Sequence, residues 1–418
     1  MHGEFVISFG HHNTIEVTTM HARKVSHKIL FNSLPWIHQG RLNALQECLL
    51  AAIDSQRLSV TGIGRSIHSS AKEKHCIKRA DRLLSNHHLW DEREDIYHAM
   101  IRIMIGNIQR PVILVDWSDL DPHKRHFLIR AAVALEGRSH TLYEEVHTIK
   151  TKEKPATHKS FLKKLKAMLP SNCCPIVVTD GGFKVPWFKL ILKLGWDYVG
   201  RIRGRTMLRE NEACDWDYIK NLYPMANSTP KYLGCREITR SNPLNSHLVL
   251  YKGKPKGRHK LNRAGERTYC KHSEVHSERE KEPWLLATSL PATSTLAKRV
   301  VKVYSARMQI EEAFRDIKSY RYGAGLELNL TRDQQRLQIL MLIGMLVTLI
   351  LWLLGTVVIM SGEAKHYQAN TEKKRRVLSV LFLGLRVSID DRIAVSDEQL
   401  TIAYDKLVSQ MRGHGDGW

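Results

Sequence analysis

The spacing of apolar and polar positions changes character several times along the chain. From 20 to 107 the period is helical: Leu42, Leu45, Leu49 and Ala52 recur at helix spacing in Arg41–Ile53, and a second helix is expected over about Lys72–Leu84. On that second helix His75, Lys78, Arg79 and Arg82 fall on one face, with Ile77, Ala80, Leu83 and Leu84 on the other. A basic stripe backed by an apolar one suits contact with phosphates, and it equally suits any solvated amphipathic helix. At Pro111 the pattern shortens to apolar runs. Strands are predicted over 111–116 (PVILVD), 126–137 and 139–149, then a helix over about His158–Leu169 and a strand over 175–180 (PIVVTD). A helix over Val185–Leu194 and a strand over 197–204 follow. Three strands, helix, strand, helix, strand is the order of a mixed α/β sheet.

Residues 205–282 are polar and turn-rich, with strand-like pieces such as SHLVLYKG at 246–253. Within them Tyr251–His272 holds eight Lys or Arg against one acid, Glu266, interleaved with Gly and Pro. This reads as a basic loop suited to DNA, with Lys254, Lys256, Arg258 and Lys260 as candidate contacts. A strand over 284–290 (WLLATSL) precedes one long helix over about Ser294–Ser319, and 331–418 reads as helical. There Leu337–Met360 carries no charged residue in 24 positions. That is long enough to span a bilayer, but it stands alone, and a helix apolar all round also suits the centre of a large core.

Composition adds a partner. Lys and Arg total 64 against 42 Asp and Glu, a formal charge of +22, which points to a polyanion and first to nucleic acid. Seven cysteines without regular spacing do not suggest a disulfide framework and fit a reducing cytoplasm. Cys270, His272 and His276 mimic a zinc cluster, but no second Cys or His pair stands at finger spacing. The N-terminus lacks a cationic start followed by an apolar stretch, so no signal peptide is expected, and Met20 is a plausible alternative start.

Two acids end apolar strands of the same predicted sheet, Asp116 closing PVILVD and Asp180 closing PIVVTD. A lone acid there is an ordinary turn former. Two, on strands that could lie side by side, tilt the balance towards a shared hard cation, Mg2+ or Mn2+. In the helix YSARMQIEEAFRDIKSY, Tyr304, Arg307, Glu311 and Lys318 are spaced 0, 3, 7 and 14. At about 100° per residue they share a sector roughly 60° wide. Val303, Ile310, Phe314 and Ile317 form an apolar stripe beside it, and Glu312 and Asp316 are expected on the solvated side. Incidental ion pairs on a surface helix are the plainer alternative. Asp119 lies three residues after Asp116 and could be mistaken for a ligand.

The pattern Y-x2-R-x3-E-x6-K, with VDWSD at 115–119, TDGGFKVPW at 179–187 and KRADRLLSNHHL at 78–89, resembles the transposases of bacterial cut-and-paste insertion sequences. These are DDE enzymes of insertion-sequence family four, in the Tn-ten-like branch, and the resemblance runs from about Leu42 to Ala369. It implies an RNase H-like mixed-sheet core, 108–204 and 284–330, interrupted by a β-rich insertion over 205–283. A helical DNA-binding domain over 20–107 and a helical dimerisation region over 331–418 would flank it. Asp116, Asp180 and Glu311 would be catalytic and would hold two Mg2+ ions, with Mn2+ able to substitute. Tyr304, Arg307 and Lys318 would hold phosphates near a flipped end nucleotide, and Trp284 would stack an extruded base. Lys78, Arg79 and Arg82 would contact DNA. The partners implied are double-stranded DNA, as transposon ends and target, and a second copy of the chain in the synaptic complex, with no membrane. Relatives bury a similar apolar helix in their soluble C-terminal part. Non-catalytic DNA binding and an inner-membrane protein with a basic domain are the competing readings.

Overall fold

The computed structural model describes residues 20–253, 266, 282–321, 323–372, 374–390 and 392–415. The described residues open with five helices, α1 (Met20–Ser33), α2 (Gln39–Ser55), α3 (Val60–Arg65), α4 (Glu73–Leu84) and α5 (His87–Ile105). The α4 burial follows its sequence pattern: Ala80, Leu83 and Leu84 are buried, together with Cys76, while Lys78, Arg79 and Arg82 are exposed. The Asn86 side chain accepts the Leu89 N–H (2.9 Å) and so caps the start of α5.

The sheet begins with β1 (Val112–Asp119), β2 (His126–Ala134) and β3 (Ser139–Thr148), paired antiparallel by two hairpins. All nine residues of β2 are buried, because it lies inside the sheet with both faces covered, and its sequence is accordingly apolar almost throughout. Next come α6 (Pro155–Met168), β4 (Ile176–Thr179), α7 (Val185–Lys193) and β5 (Asp197–Ile202), with β4 parallel to both β1 and β5. A Cβ on Gly200 would stand 2.4 Å from the Phe188 ring, so the bare backbone there lets α7 lie flat on β5. Strands β6 (Met207–Arg209), β7 (Asp217–Tyr218), β8 (Lys231–Ile238), β9 (Leu244–Tyr251) and β10 (Trp284–Thr288) complete the set among the described residues. All ten form one sheet in the order β3-β2-β1-β4-β5-β10-β9-β8-β6-β7. The strands of the turn-rich segment thus extend the same sheet, docking through β10.

Two expectations are corrected. The first strand does not close at Asp116 but continues through Trp117 and Ser118 to Asp119, because these residues keep their pairing with β2. The single helix expected over Ser294–Ser319 is two, α8 (Leu296–Ser305) and α9 (Met308–Lys318). Between them the N–H groups of Ala306, Arg307, Gln309 and Ile310 donate three residues back, to Val303, Tyr304, Ala306 and Arg307, so the turn tightens. Gln309 fixes this kink: its side-chain oxygen accepts the Leu135 N–H (2.9 Å) and its amide donates to the Leu135 carbonyl. No Gly or Pro marks the break. A tertiary clamp makes it.

The apolar run forms α10 (Gln334–Met360), capped by Asp333, whose side chain accepts the Arg336 N–H (2.9 Å). By length and composition this helix could cross a membrane, yet 83% of its most apolar window is buried within the chain. It packs against α1, α2, α4, α5 and β3, and against α11 (Val380–Ser388) and α12 (Asp397–Gly415). N-terminal helices, sheet and C-terminal helices therefore share one continuous apolar core.

Candidate active site

Parallel pairing of Val115 with Thr179 brings Asp116 and Asp180, each the next residue, to the same edge of adjacent strands. Asp116 accepts the Trp117 N–H (2.8 Å) and Asp180 accepts the Gly182 N–H (2.8 Å), which fixes both carboxylates. Successive strand residues face opposite sides. Trp117 meets His158 of α6 (indole N–H to Nε2, 3.2 Å), so Asp116 faces the other side, where Arg307 waits at the start of α9. Burial, then the neighbouring Asp180, pushes the Asp116 carboxyl up to about 7; Glu311 adds to this, and Arg307 and the Trp117 N–H oppose it.

Arg307 ties the third acid in. Its guanidinium stands 2.6 Å from the Glu311 carboxylate and 3.5 Å from Asp116, and these anions with Tyr304 hold it firmly protonated against the cost of burial. Tyr304 lies under the guanidinium (5.9 Å) and meets the edge of Trp284 at 4.9 Å, and Tyr251 stands 5.6 Å from Trp284 on its other contact. Lys318, one helix length on, donates to Ser118 Oγ (2.6 Å). Tyr304, Arg307, Glu311 and Lys318 thus gather at the edge that holds both aspartates, although the kink breaks the even 100° spacing that grouped them in the sequence.

The ridge differs from expectation in two ways. Tyr304 is almost wholly buried and forms a wall rather than an open contact. Glu312 and Asp316, expected on the solvated side, instead turn to Arg138 of the β2–β3 turn (3.9 and 2.6 Å), and Glu312 also pairs with Arg315. Glu311 is the more exposed acid, with 43% of its side chain open. Asp119 pairs with Lys124 and Lys152 (each 3.8 Å). Trp284 is half-buried at the head of β10.

Sequence reading missed two supporting residues. Ser118 receives Lys318, and Arg201 of β5 donates to the carbonyls of Glu282 (3.1 Å) and Pro283 (3.2 Å), fixing the backbone that leads into Trp284. An arginine inside an apolar strand was the available signal. Lys254, Lys256, Arg258 and Lys260, and the Cys270, His272 and His276 cluster, lie outside the described residues.

Among the described residues no three Asp, Glu, His or Cys close tightly round one point. The donor set nevertheless fits a hard divalent cation: two half-buried, fixed carboxylates share one edge, and burial first and the neighbouring acid second disfavour the charge on Asp116, a cost that a cation would relieve. Acids at a sheet edge, flanked by fixed cations and an aromatic wall, can bind a phosphodiester and the charge developing on it. Such an arrangement is suited to phosphoryl transfer.

Residues 107–350 match the family described as Transposase DDE domain, and since the match covers more than half of the chain, the chain belongs to that family. It is a DDE-type DNA transposase, an enzyme of DNA recombination that cleaves and transfers DNA strands; such enzymes generally use divalent metals. No curated protein matches the chain.

Proposed function

We propose that the chain is the transposase of a bacterial cut-and-paste insertion sequence, in the Tn-ten-like branch of insertion-sequence family four. It would bind the terminal inverted repeats, cut both strands through a hairpin on the transposon end, and join the freed end to target DNA. The observation that carries this reading is the bridge of Arg307 between Asp116 and Glu311, with Asp180 level with Asp116 on the next strand. The order β3-β2-β1-β4-β5, antiparallel then parallel, supports an RNase H-like core over 108–204 and 284–330, with 205–283 as its insertion. The helices of 20–107 would form the DNA-binding part, with Lys78, Arg79 and Arg82 on its open face, and those of 331–418 the dimerisation part. A cytoplasmic homodimer on DNA follows, since two ends must be paired.

When bound, two Mg2+ ions held by Asp116, Asp180 and Glu311 would supply Lewis-acid activation of the attacking and leaving oxygens. The chain's own groups do the remainder. Arg307 and Lys318 present fixed positive charge to the phosphate, where it acts without reorganisation cost. Tyr304 backs Arg307 and excludes water. Trp284 offers a ring face on which an unstacked base can lie.

Incubating the protein with DNA carrying the element's own flanking repeats, with and without Mg2+, tests the reading directly: absence of Mg2+-dependent end cleavage overturns it. Glu311→Gln is expected to lower cleavage by roughly a hundredfold or more. Glu312→Gln, whose carboxylate belongs to Arg138 and Arg315, should stay within about threefold. Equal losses would remove Glu311 from the site. Trp284→Ala is expected to lower hairpin formation roughly tenfold more than first-strand nicking, the scale of one base–aromatic stack. An equal fall in both steps would make Trp284 a packing residue only.

A further inference from the structure

Transfer of a strand demands that a second duplex reach the same acids as the first. The sheet order gives those acids two unlike sides. On one side, through β5 and β10, stand Trp284 and Tyr304. On the other lie β2 and β3, whose turns leave at the catalytic edge: β1 and β3 both pair antiparallel with β2, so β3 ends at Thr148 at the edge where β1 ends at Asp119. Residues 120–125 and 149–154 therefore flank the acids, and they meet, since Lys124 and Lys152 each stand 3.8 Å from Asp119.

These two turns are basic and open. Lys124, Arg125, Lys150 and Lys154 are exposed, and Lys152 is braced over the Phe127 ring at 4.3 Å. Of the nearby acids, Asp119 is taken up by the two lysines. Asp121 is held by the N–H groups of His123, Arg125 and His126 (2.9–3.1 Å) and by the Arg125 side chain. Glu153 pairs with Lys152 (3.4 Å). The outward-facing groups are thus mostly cations, on backbone made rigid by the Asp121 turn, and Ile149 stands two-thirds exposed beside Lys150.

We propose that the turns 120–125 and 149–154 form the docking rim for the target duplex, with Lys124, Lys150 and Lys154 contacting its phosphates. The transposon end lies on the Trp284 side, and the two duplexes approach the acids from opposite directions. This rests on the site reading above. Phosphate contacts of this kind position DNA without reading sequence, which suits a duplex that varies from one insertion to the next.

The test uses the triple variant Lys124→Glu, Lys150→Glu, Lys154→Glu in the full chain, with the element in a plasmid and a second plasmid as target. Release of the element is expected within about twofold of wild type, and joining to the second plasmid is expected to fall at least about tenfold. The corresponding Lys→Arg triple should keep joining. A control with equal charge change at exposed Lys163, Lys193 and Lys406 should keep it too. With a generic duplex, the salt dependence of binding should fall by roughly 2–3 in log–log slope for three lost contacts. Unchanged joining overturns the rim, as does an equal fall in release and joining, which would give the surface to the donor flank. An unchanged salt slope overturns it also. If wild type cuts nothing while the slope falls as expected, it is the function proposed above that fails, and the rim remains a DNA surface.

Discussion

Asp116→Asn is expected to abolish strand cleavage, by about a thousandfold or more, and at the same time to raise the thermal stability of the protein at pH 8. The loss of activity follows from removing one of two hard oxygen donors at the sheet edge, where metal activation is worth several kcal/mol. The gain in stability follows from the carboxyl itself. Buried and beside Asp180, it is pushed from its ordinary 3.8 up to about 7. The folded chain therefore keeps a proton that the unfolded chain has already released, so this group's contribution to stability declines as pH rises from about 4 through 7. Asparagine imitates the protonated form and escapes that decline. Melting curves at pH 8 without divalent cation should place the variant higher, by roughly 1–3 kcal/mol, and curves near pH 4 should bring the two together. Added Mg2+ should stabilise wild type and leave the variant unmoved, because only a bound ligand shifts folding by mass action. Coincident melting at pH 8 would show that the carboxylate pair is not under the repulsion its placement implies.

The second large effect is expected far from the acids. Helices α10 and α11 cross backbone to backbone at Gly355 and Gly384: a Cβ on Gly355 would stand 1.9 Å from the Val380 carbonyl oxygen, and one on Gly384 1.9 Å from that of Leu351. No flexible side chain lies there to give way. Gly355→Val should separate the two helices and cost about 3 kcal/mol or more, at the upper end of overpacking effects. The consequence is wider than the crossing, because α10 is apolar all round and its burial depends on neighbours on every side. Exposed, it would associate with any other apolar surface. Soluble yield and melting temperature measure this. A variant that stays soluble and melts within about 2 °C of wild type would mean that the crossing can open without unseating α10.

The two effects separate what was legible from what was not. The apolar runs ending in Asp116 and Asp180, and the Tyr304–Arg307–Glu311–Lys318 spacing, were readable because strand and helix periods are local properties of the chain. The succession of strands β1 to β5 and their helices along the chain followed from the same signals, whereas their order within the sheet did not. The strand continuing past Asp116 was not readable, since Trp117, Ser118 and Asp119 are held by pairing with β2 rather than by their own propensity. Nor was the kink before α9, which Gln309 imposes by gripping Leu135, 174 residues away in sequence. The destination of Glu312 and Asp316 depended in the same way on Arg138 in a distant turn.

The apolar run at Leu337–Met360 shows the division most plainly. Its composition alone satisfies the requirement for a membrane span, because hydrophobicity says that a helix must leave water and not where it goes. The packing of α1, α2, α4, α5, β3, α11 and α12 around it decides the matter within the chain. By itself, then, the sequence singled out the candidate groups: two strand acids, one helix acid, and the cations spaced with it. The tertiary structure alone decided that these groups share one edge, that Arg307 joins Asp116 to Glu311, and that basic turns close the opposite flank. The physical reason is range. Periodicity is written over a few residues, whereas strand register, helix crossing and charge pairing join positions tens to hundreds of residues apart.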